Sequence, residues 1–592
     1  MIPSMLTPEP PGANVRLFSI LLDQLNRLGV HHVVLAPGSR STPLAVALAS
    51  SAMSVSVCLD ERAAAFFAAG IARRSREPVM VVTTSGTASL ELVPALAEAS
   101  LSGLAILAVT ADRPARLKGV GAPQTLDQLQ AMSSYVGATI SLELVASLSE
   151  RDLGSIALQL VTELMRGGPV HLNIGIEEPL LGPVIEGESE ISLPSTQEHE
   201  SIGVRRPVRT TPAPLDTELT RGLFDPERKG WLMLGGVSQS ALPDVAPEET
   251  IAGATRTLAM RLGWRLVVDS RTQLADNGEC VIHLDLLTRI SLPLPDIAVV
   301  IGDFPLARSA MGTLRAIVEQ GGEVVTLNDR SVFRDPGRFV TTGYVADVKE
   351  TLYNASKLLP EVVSGQGPNL LRQLDEKIDA LVQGFAETHP DSEIAAARRL
   401  YSLLHGEEAL FVSASMPIRY LDQFRGYHLD PPLVAMNRGT NGIDGVIASY
   451  LGFAHTRPEA LTALLIGDLA TLYDVSALIH LPLAHRGLIV VLDNQGGLIF
   501  DQVPPATRIA PEVQTEYFVT PPRVRPAGVL SGIGLEVIRV SDANDLDALV
   551  GRARLGEFLV AVLEVGRAVS HESLGSLYAQ IDRQLAKEQM YP

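Results

Sequence analysis

Short apolar runs, four to six residues long and rich in β-branched side chains, recur along the chain between Ala- and Leu-rich stretches of helical character. In the first third they are His32-Val33-Val34-Leu35, Val79 to Thr83, Ala105 to Val109 and Val170 to Ile174. In the middle they are Trp231 to Leu234, Ile297 to Ile301 and Glu323 to Leu327, and in the last third Ala409 to Val412, Ala463 to Ile466 and Gly487 to Leu492. Near-continuous apolar strands alternating with helices predict parallel sheets covered by helices on both faces. The fold class expected is therefore α/β, with three doubly wound parallel-sheet domains in series. Pro-, Ser- and Glu-rich segments without periodicity set the boundaries at 1–183, a linker at 184–229, 230–361 and 362–592. No short-period repeat is present, which excludes solenoids and propellers.

Composition narrows the function classes. At 592 residues the chain is long enough for several domains. Its formal charge of −19 argues against nucleic acid and anionic membranes as partners, although a local basic pocket for a small anion remains compatible. Cys58 and Cys280 are the only cysteines, so neither a disulfide framework nor a thiolate metal site is expected, and a reducing cytoplasm fits. Residues 1–12 lack the basic and apolar regions of a signal peptide, and the most apolar long stretch, Leu461 to Leu492, is interrupted by Asp468, Asp474, His480, His485 and Arg486. No Gly-Lys pair occurs, which removes the phosphate-binding loop of nucleotide triphosphatases. His480 and His485 are five apart, off the spacing of a helical zinc pair, and read as helix and helix-end residues.

Two segments carry candidate chemistry. In Gly467-Asp468-Leu469-Ala470-Thr471-Leu472-Tyr473-Asp474, Asp468 follows an apolar strand and opens a helix; the next strand ends in Asn494-Gln495-Gly496-Gly497. Strand ends at the carboxyl edge of a parallel sheet are where ligands bind. A carboxylate, an amide oxygen and a free carbonyl are hard oxygen ligands suited to Mg²⁺ shared with phosphate. The helix start near Leu469 offers backbone N–H groups to the same phosphates. Read singly, Asp468 is a helix cap and the Gly-Gly segment a turn. The second segment, Asp60-Glu61-Arg62 before an Ala-rich helix, sets Glu61 either as compensation for the helix dipole or as a carboxyl whose proton affinity is raised by burial.

Together these segments resemble the thiamine-diphosphate (ThDP) signature, with Leu469 where the signature has a second Gly. Ala36-Pro37-Gly38-Ser39-Arg40-Ser41-Thr42-Pro43-Leu44, Thr110-Ala111-Asp112-Arg113-Pro114 and Asn437 to Gly445 extend the resemblance to the 2-succinyl-5-enolpyruvyl-6-hydroxy-3-cyclohexene-1-carboxylate (SEPHCHC) synthase family. The resemblance implies a pyrimidine-binding domain at 1–183, a central domain at 230–361 and a diphosphate-binding domain at 362–592. It implies a transferase that decarboxylates 2-oxoglutarate and adds the resulting succinyl-semialdehyde carbanion to isochorismate by 1,4-addition, in menaquinone or phylloquinone biosynthesis. ThDP and Mg²⁺, with Mn²⁺ as a substitute, are the implied cofactors, in a cytoplasmic homodimer or homotetramer with its active site at a subunit interface.

Residue by residue, the resemblance makes Glu61 the catalytic acid bonded to the aminopyrimidine, and Asp468, Asn494 and Gly496 the metal ligands. Ser85, Ile443, Leu469 and Ala470 join the cofactor site. Ser39, Arg40, Arg113 and Gln124 serve isochorismate; Ser415, Arg419 and Arg438 hold carboxylate or ketone oxygens; Arg308 contributes from the middle domain; Ile499 and Phe500 form an apolar wall. Any one of these arginines read alone is a solvated surface charge, but two dianionic substrates need several fixed guanidinium groups. The family's Gly-Ala-Asn-Gln is Gly121-Ala122-Pro123-Gln124 here, and its Lys-Arg pair is Ala307-Arg308, so one amide and one ammonium are missing. Competing readings are another ThDP carboligase or decarboxylase, a nicotinamide or flavin protein on similar layers, and a non-catalytic homologue. The first lacks a reason for the arginines, the second its Gly-x-Gly-x-x-Gly turn, and the third a lost Glu61, Asp468 or Asn494.

Overall fold

The computed structural model describes residues 12–145, 147–181, 207, 212–236, 250–276, 278–329, 335–359, 370–502 and 508–589. The amino-terminal tail and most of the expected linker lie outside them, as does the side chain of Arg308. Three sheets follow one another along the chain. The first contains β1 (His32–Leu35), β2 (Ser54–Val57), β3 (Val79–Thr83), β4 (Ile106–Asp112), β5 (Ala138–Glu143) and β6 (Val170–Gly175), in the order β2-β1-β3-β4-β6-β5. The second contains β7 (Gly230–Leu234), β8 (Arg265–Val268), β9 (Ile297–Ile301), β10 (Glu323–Asn328) and β11 (Thr342–Val345), ordered β11-β10-β9-β7-β8. The third contains β12 (Ala409–Val412), β13 (Leu433–Ala435), β14 (Thr462–Gly467), β15 (Gly487–Asp493), β16 (Val537–Val540) and β17 (Phe558–Glu564), ordered β13-β12-β14-β15-β17-β16. Neighbouring strands pair in parallel, as in β1 with β3, β7 with β9 and β12 with β14.

The first and third sheets share one strand order. In each, the chain leaves its first strand in one direction and returns from the third in the other, so the ends of β1 and β3, and of β12 and β14, flank a topological switch point. Crossover connections diverge there and leave a crevice at the carboxyl edge. The central strands β3, β4, β9 and β12 are wholly buried, which explains their unbroken apolar runs. The edge strands β2 and β5 mix exposed and buried positions, and β11 is exposed or half-buried throughout.

The chain forms two compact units. One gathers 1–209 with 436–459 and 470–487; the other gathers 210–435, 460–469 and 488–592. In the second unit, the helix Thr217–Leu223 sets Leu223 and Phe224 into the apolar core of the middle sheet. In the first, the helix Glu61–Ser75 packs against Val446–His455, which belongs to a crossover of the third sheet. The approach is backbone to backbone: a Cβ on Gly70 would lie 2.0 Å from the Ser449 carbonyl oxygen, and one on Gly452 2.0 Å from that of Phe67. Ser449 Oγ also donates to the Phe66 carbonyl at 3.2 Å.

Because backbone cannot give way as a flexible side chain can, Gly452→Ala is expected to cost about 1–3 kcal/mol and to lower the thermal midpoint. Gly528→Ala, whose Cβ meets nothing within 4 Å, is expected to leave the midpoint unchanged or slightly raised. Equal midpoints for both variants in a thermal melt would refute the close crossing.

Candidate functional site

At the switch point of the first sheet, the turn after β1 carries Ser39 and Arg40. Gly38 permits it, since a Cβ there would lie 2.4 Å from Thr84 in the turn after β3. The Arg40 backbone N–H donates to Thr84 Oγ1 at 3.2 Å. Ser39 is exposed and its carbonyl accepts from Thr42. Arg40 is buried, with Nη1 donating to the Ile176 carbonyl at 3.1 Å and Nη2 to Glu178 Oε1 at 2.5 Å. Arg113, just past β4, sends Nη1 to the same Glu178 oxygen at 3.3 Å, and its Nε and Nη2 to the Pro123 carbonyl. The contact with position 123 is thus through backbone, which a proline supplies as well as an asparagine. Gln124 adopts a positive φ of 54° and lies against Gly86, directly after Ser85. Ser85 Oγ is buried and has no hydrogen-bond partner, an unmet polar atom beside this edge.

A buried polar network stands behind the edge. Gln128 accepts from the Gly86 N–H at 3.0 Å and donates to Asn173 Oδ1 at 2.8 Å; Asn173 donates to Asp112, which receives the Arg113 N–H. Thr110 Oγ1 joins Asn173 to His171 Nε2 at 2.8 Å. Burial pushes His171 down to about 4.

Glu61 is the first residue of its helix, which Asp60 caps by accepting from the Ala63 N–H. Glu61 is half-buried, and desolvation raises its pKa, with Asp60 and Glu91 adding in the same direction. Its neighbours are pinned: Asp60 accepts from Ser476 Oγ at 2.6 Å, and Arg62 pairs with buried Asp474 at 3.2 Å and lies over the Tyr473 ring. Asp474 also accepts from the Ala448 N–H. Just before the helix Val446–His455, Arg438 and Ile443 are half-buried in a loop shaped by positive φ at Asn441 and Gly445. Buried Glu98 fixes the loop, accepting from the backbone N–H groups of Gly439 and Thr440 at 3.0 and 2.7 Å, and from Thr440 Oγ1, Ser102 and Arg73.

In the other unit, Asp468 sits at the switch point of the third sheet. Its Oδ1 accepts from the Leu469 N–H and its Oδ2 from the Gly496 N–H, both at 2.7 Å, so β14 and β15 are tied at their carboxyl ends. Burial pushes Asp468 up to about 7 despite those donors. The turn beyond β15 has positive φ at Gln495 and Gly496, and a Cβ on Gly496 would meet the Val519 carbonyl at 2.6 Å, so only glycine fits. The Gly496 carbonyl accepts from the Leu498 N–H at 2.9 Å and keeps a second lone pair. Asn494 is buried and donates to Glu393 at 2.8 Å. Ala470, where the chain re-enters the first unit, is buried in the helix Asp468–Tyr473. Ser415, at a positive φ of 73°, starts the helix Met416–Phe424, and Arg419 donates to its carbonyl. Ile499 is half-buried; Phe500 is exposed and meets Phe518 edge-on at 5.9 Å between centroids.

Arg40 and Arg113 thus converge, Ser415 and Arg419 adjoin, and Asp468 contacts the turn of Asn494 and Gly496. Glu178, Gln128, Asn173, Asp474, Glu98 and Glu393 also shape these sites. Motif reading does not single them out, because each acts through a partner remote in sequence.

Three parallel-sheet α/β layers in series are consistent with the fold of ThDP-dependent enzymes. The family "Thiamine pyrophosphate enzyme, N-terminal TPP binding domain" matches residues 15–131. The chain is 30% identical over 589 residues to the 2-succinyl-5-enolpyruvyl-6-hydroxy-3-cyclohexene-1-carboxylate synthase of Lysinibacillus sphaericus (strain C3-41), covering 95% of this chain and 97% of that one. It is 33% identical to the synthase of the same name from Halorhodospira halophila (strain DSM 244 / SL1), over 82% and 83% of the two chains. For the Vibrio cholerae (strain ATCC 39541 / Classical Ogawa 395 / O395) synthase the values are 32%, 83% and 85%. The chain belongs to the SEPHCHC synthase family. No described helix is long and apolar enough to cross a membrane.

The His171 network yields a pH prediction. Unfolded histidine titrates near 6.5, so between about 6.5 and 4 the unfolded chain binds the extra proton; the stabilisation present above pH 6.5 is lost as pH falls, by up to about 3 kcal/mol. His171→Gln is expected to flatten this part of the acid profile. Parallel melts from pH 7 to 4.5 test it, and identical slopes would disprove it.

Proposed function

We propose that the protein is a decarboxylating carboligase of the transferase class that takes CO₂ from 2-oxoglutarate and joins the remaining four-carbon unit to isochorismate by 1,4-addition, toward menaquinone or phylloquinone. The observation that carries the substrate reading is the fork at Glu178. Two guanidinium groups at one sheet edge hold a single carboxylate whose side chain is 63% exposed. The carboxylate of Glu178 stands in for that of a substrate, and bidentate guanidinium recognition suits dicarboxylates.

Bound ThDP supplies the electron sink for decarboxylation and carbon–carbon bond formation. Asp468, Asn494 and the Gly496 carbonyl fit Mg²⁺, or Mn²⁺, because a buried carboxyl pushed up to about 7 is relieved by a cation beside it. Three or more His, Cys, Asp or Glu side chains are nowhere clustered for a metal among the described residues. The backbone N–H groups of Leu469 and Ala470 would hold the cofactor's diphosphate, which would compete with Asp468 for the Leu469 donor. Glu61, its proton held more tightly by burial, exchanges it with the aminopyrimidine nitrogen. Ser85 and Ile443 complete the cofactor's seat.

Ser39, Arg40, Arg113 and Gln124 orient isochorismate, while Ser415, Arg419 and Arg438, with Arg308, hold the carboxylates and ketone. Ile499 and Phe500 exclude water from the reacting carbons. The working protein is a cytoplasmic homodimer or homotetramer with its active site at a subunit interface, and its domains are 1–183, 230–361 and 362–592 about a 184–229 linker.

A purified-protein assay with ThDP, Mg²⁺, 2-oxoglutarate and isochorismate, omitting each in turn, is expected to release CO₂ and consume isochorismate only when all are present. Glu61→Gln is expected to lower kcat by roughly 10²- to 10⁴-fold. Decarboxylation without isochorismate loss would reject the acceptor, and no ThDP binding would reject the whole reading.

A further inference from the structure

Asn494 ends β15, and what decides its use as a ligand is which end of its amide faces the cation. Its Nδ2 donates to Glu393 Oε1 at 2.8 Å. Glu393 is buried at the first position of the helix Glu393–Leu403, where the positive end of the helix dipole favours a carboxylate. Ser570 Oγ lies 2.7 and 2.8 Å from its two oxygens as a donor, and the Tyr420 hydroxyl adds another. Burial raises the proton affinity of Glu393, yet Oε1 accepts from both Ser570 Oγ and Asn494 Nδ2, so it is the nitrogen of Asn494 that turns toward it. The planar amide then directs Oδ1 the other way. A donor-only N–H partner in place of Glu393 would reverse the amide and present its NH₂ group to a cation.

We infer that Glu393 is a positioning residue that selects the amide orientation of Asn494 and so sets the affinity of the Mg²⁺ site. The inference rests on the ThDP and Mg²⁺ reading above. Glu393 reaches the ion only through Asn494, as outer-shell partners of metal ligands do.

Calorimetric titration of Mg²⁺ into the full-length protein with ThDP in excess tests this without an activity readout. Glu393→Ala is expected to raise the half-saturating Mg²⁺ concentration roughly 10- to 100-fold. Asn494→Asp, which sets two carboxylates against each other, is expected to weaken Mg²⁺ binding. Adding Glu393→Gln to Asn494→Asp is expected to recover at least about tenfold, because the Gln amide donates to one Asp oxygen and leaves the other for the ion. A purely structural Glu393 would lower thermal midpoints and give no such rescue. Unchanged Mg²⁺ affinity in Glu393→Ala, or a double variant no better than Asn494→Asp, overturns the inference while the parent's binding leaves the cofactor reading standing. A parent that binds no ThDP with Mg²⁺ brings down both.

Discussion

The helix that Glu61 opens lies directly on Val446–His455, because Gly70 and Gly452 have no side chains to hold the two backbones apart. This crossing joins Phe66 to Ser449, 383 positions away. Once it forms, the loop holding Arg438 and Ile443 is carried to the first unit, where Glu98 takes the loop's N–H groups. The same packing brings Asp474 to Arg62, beside Glu61. An added methyl group at either glycine would press on backbone, and the geometry of everything attached to the two helices would shift with it.

Buried carboxylates organise both units. Glu98, Asp474 and Glu393 are each surrounded by donors, from backbone, arginine or hydroxyl groups, and those bonds offset part of the cost of burial, which still pushes Asp474 up to about 6 and raises Glu393. Asp468 differs. It has two backbone donors and Asp493 as a neighbouring charge, with Arg525 held by Asp493 at 2.7 Å, and its proton affinity stays high.

The shared strand order of the first and third sheets gives each a crevice at its carboxyl edge, and the chain uses them differently. The first presents Arg40 and Arg113 with a carboxylate between them. The third presents Asp468 and a glycine turn that admits no side chain. Similar backbone topology thus sets two arginines about a carboxylate at the edge of one sheet and a buried carboxyl beside a glycine turn at the edge of the other, through the residues placed at the strand ends.

The sequence alone determined the class of fold, because central parallel strands such as Val79–Thr83, Ile297–Ile301 and Gly487–Asp493 are buried on both faces and must read as unbroken apolar runs. It did not mark edge strands such as Ser54–Val57 and Thr342–Val345, whose exposed positions interrupt any pattern. Motifs at strand ends also named the residues around Asp468, Asn494, Arg40 and Arg113, since local spacing assigns them to a sheet edge. Only tertiary structure decided that Glu178 bridges the two arginines, that Pro123 serves through its carbonyl, that Glu98 braces the Arg438 loop, and that Glu393 turns the Asn494 amide. Those relations join residues far apart in the chain, and their physical content lies in distance and orientation after packing, which periodicity and spacing do not encode.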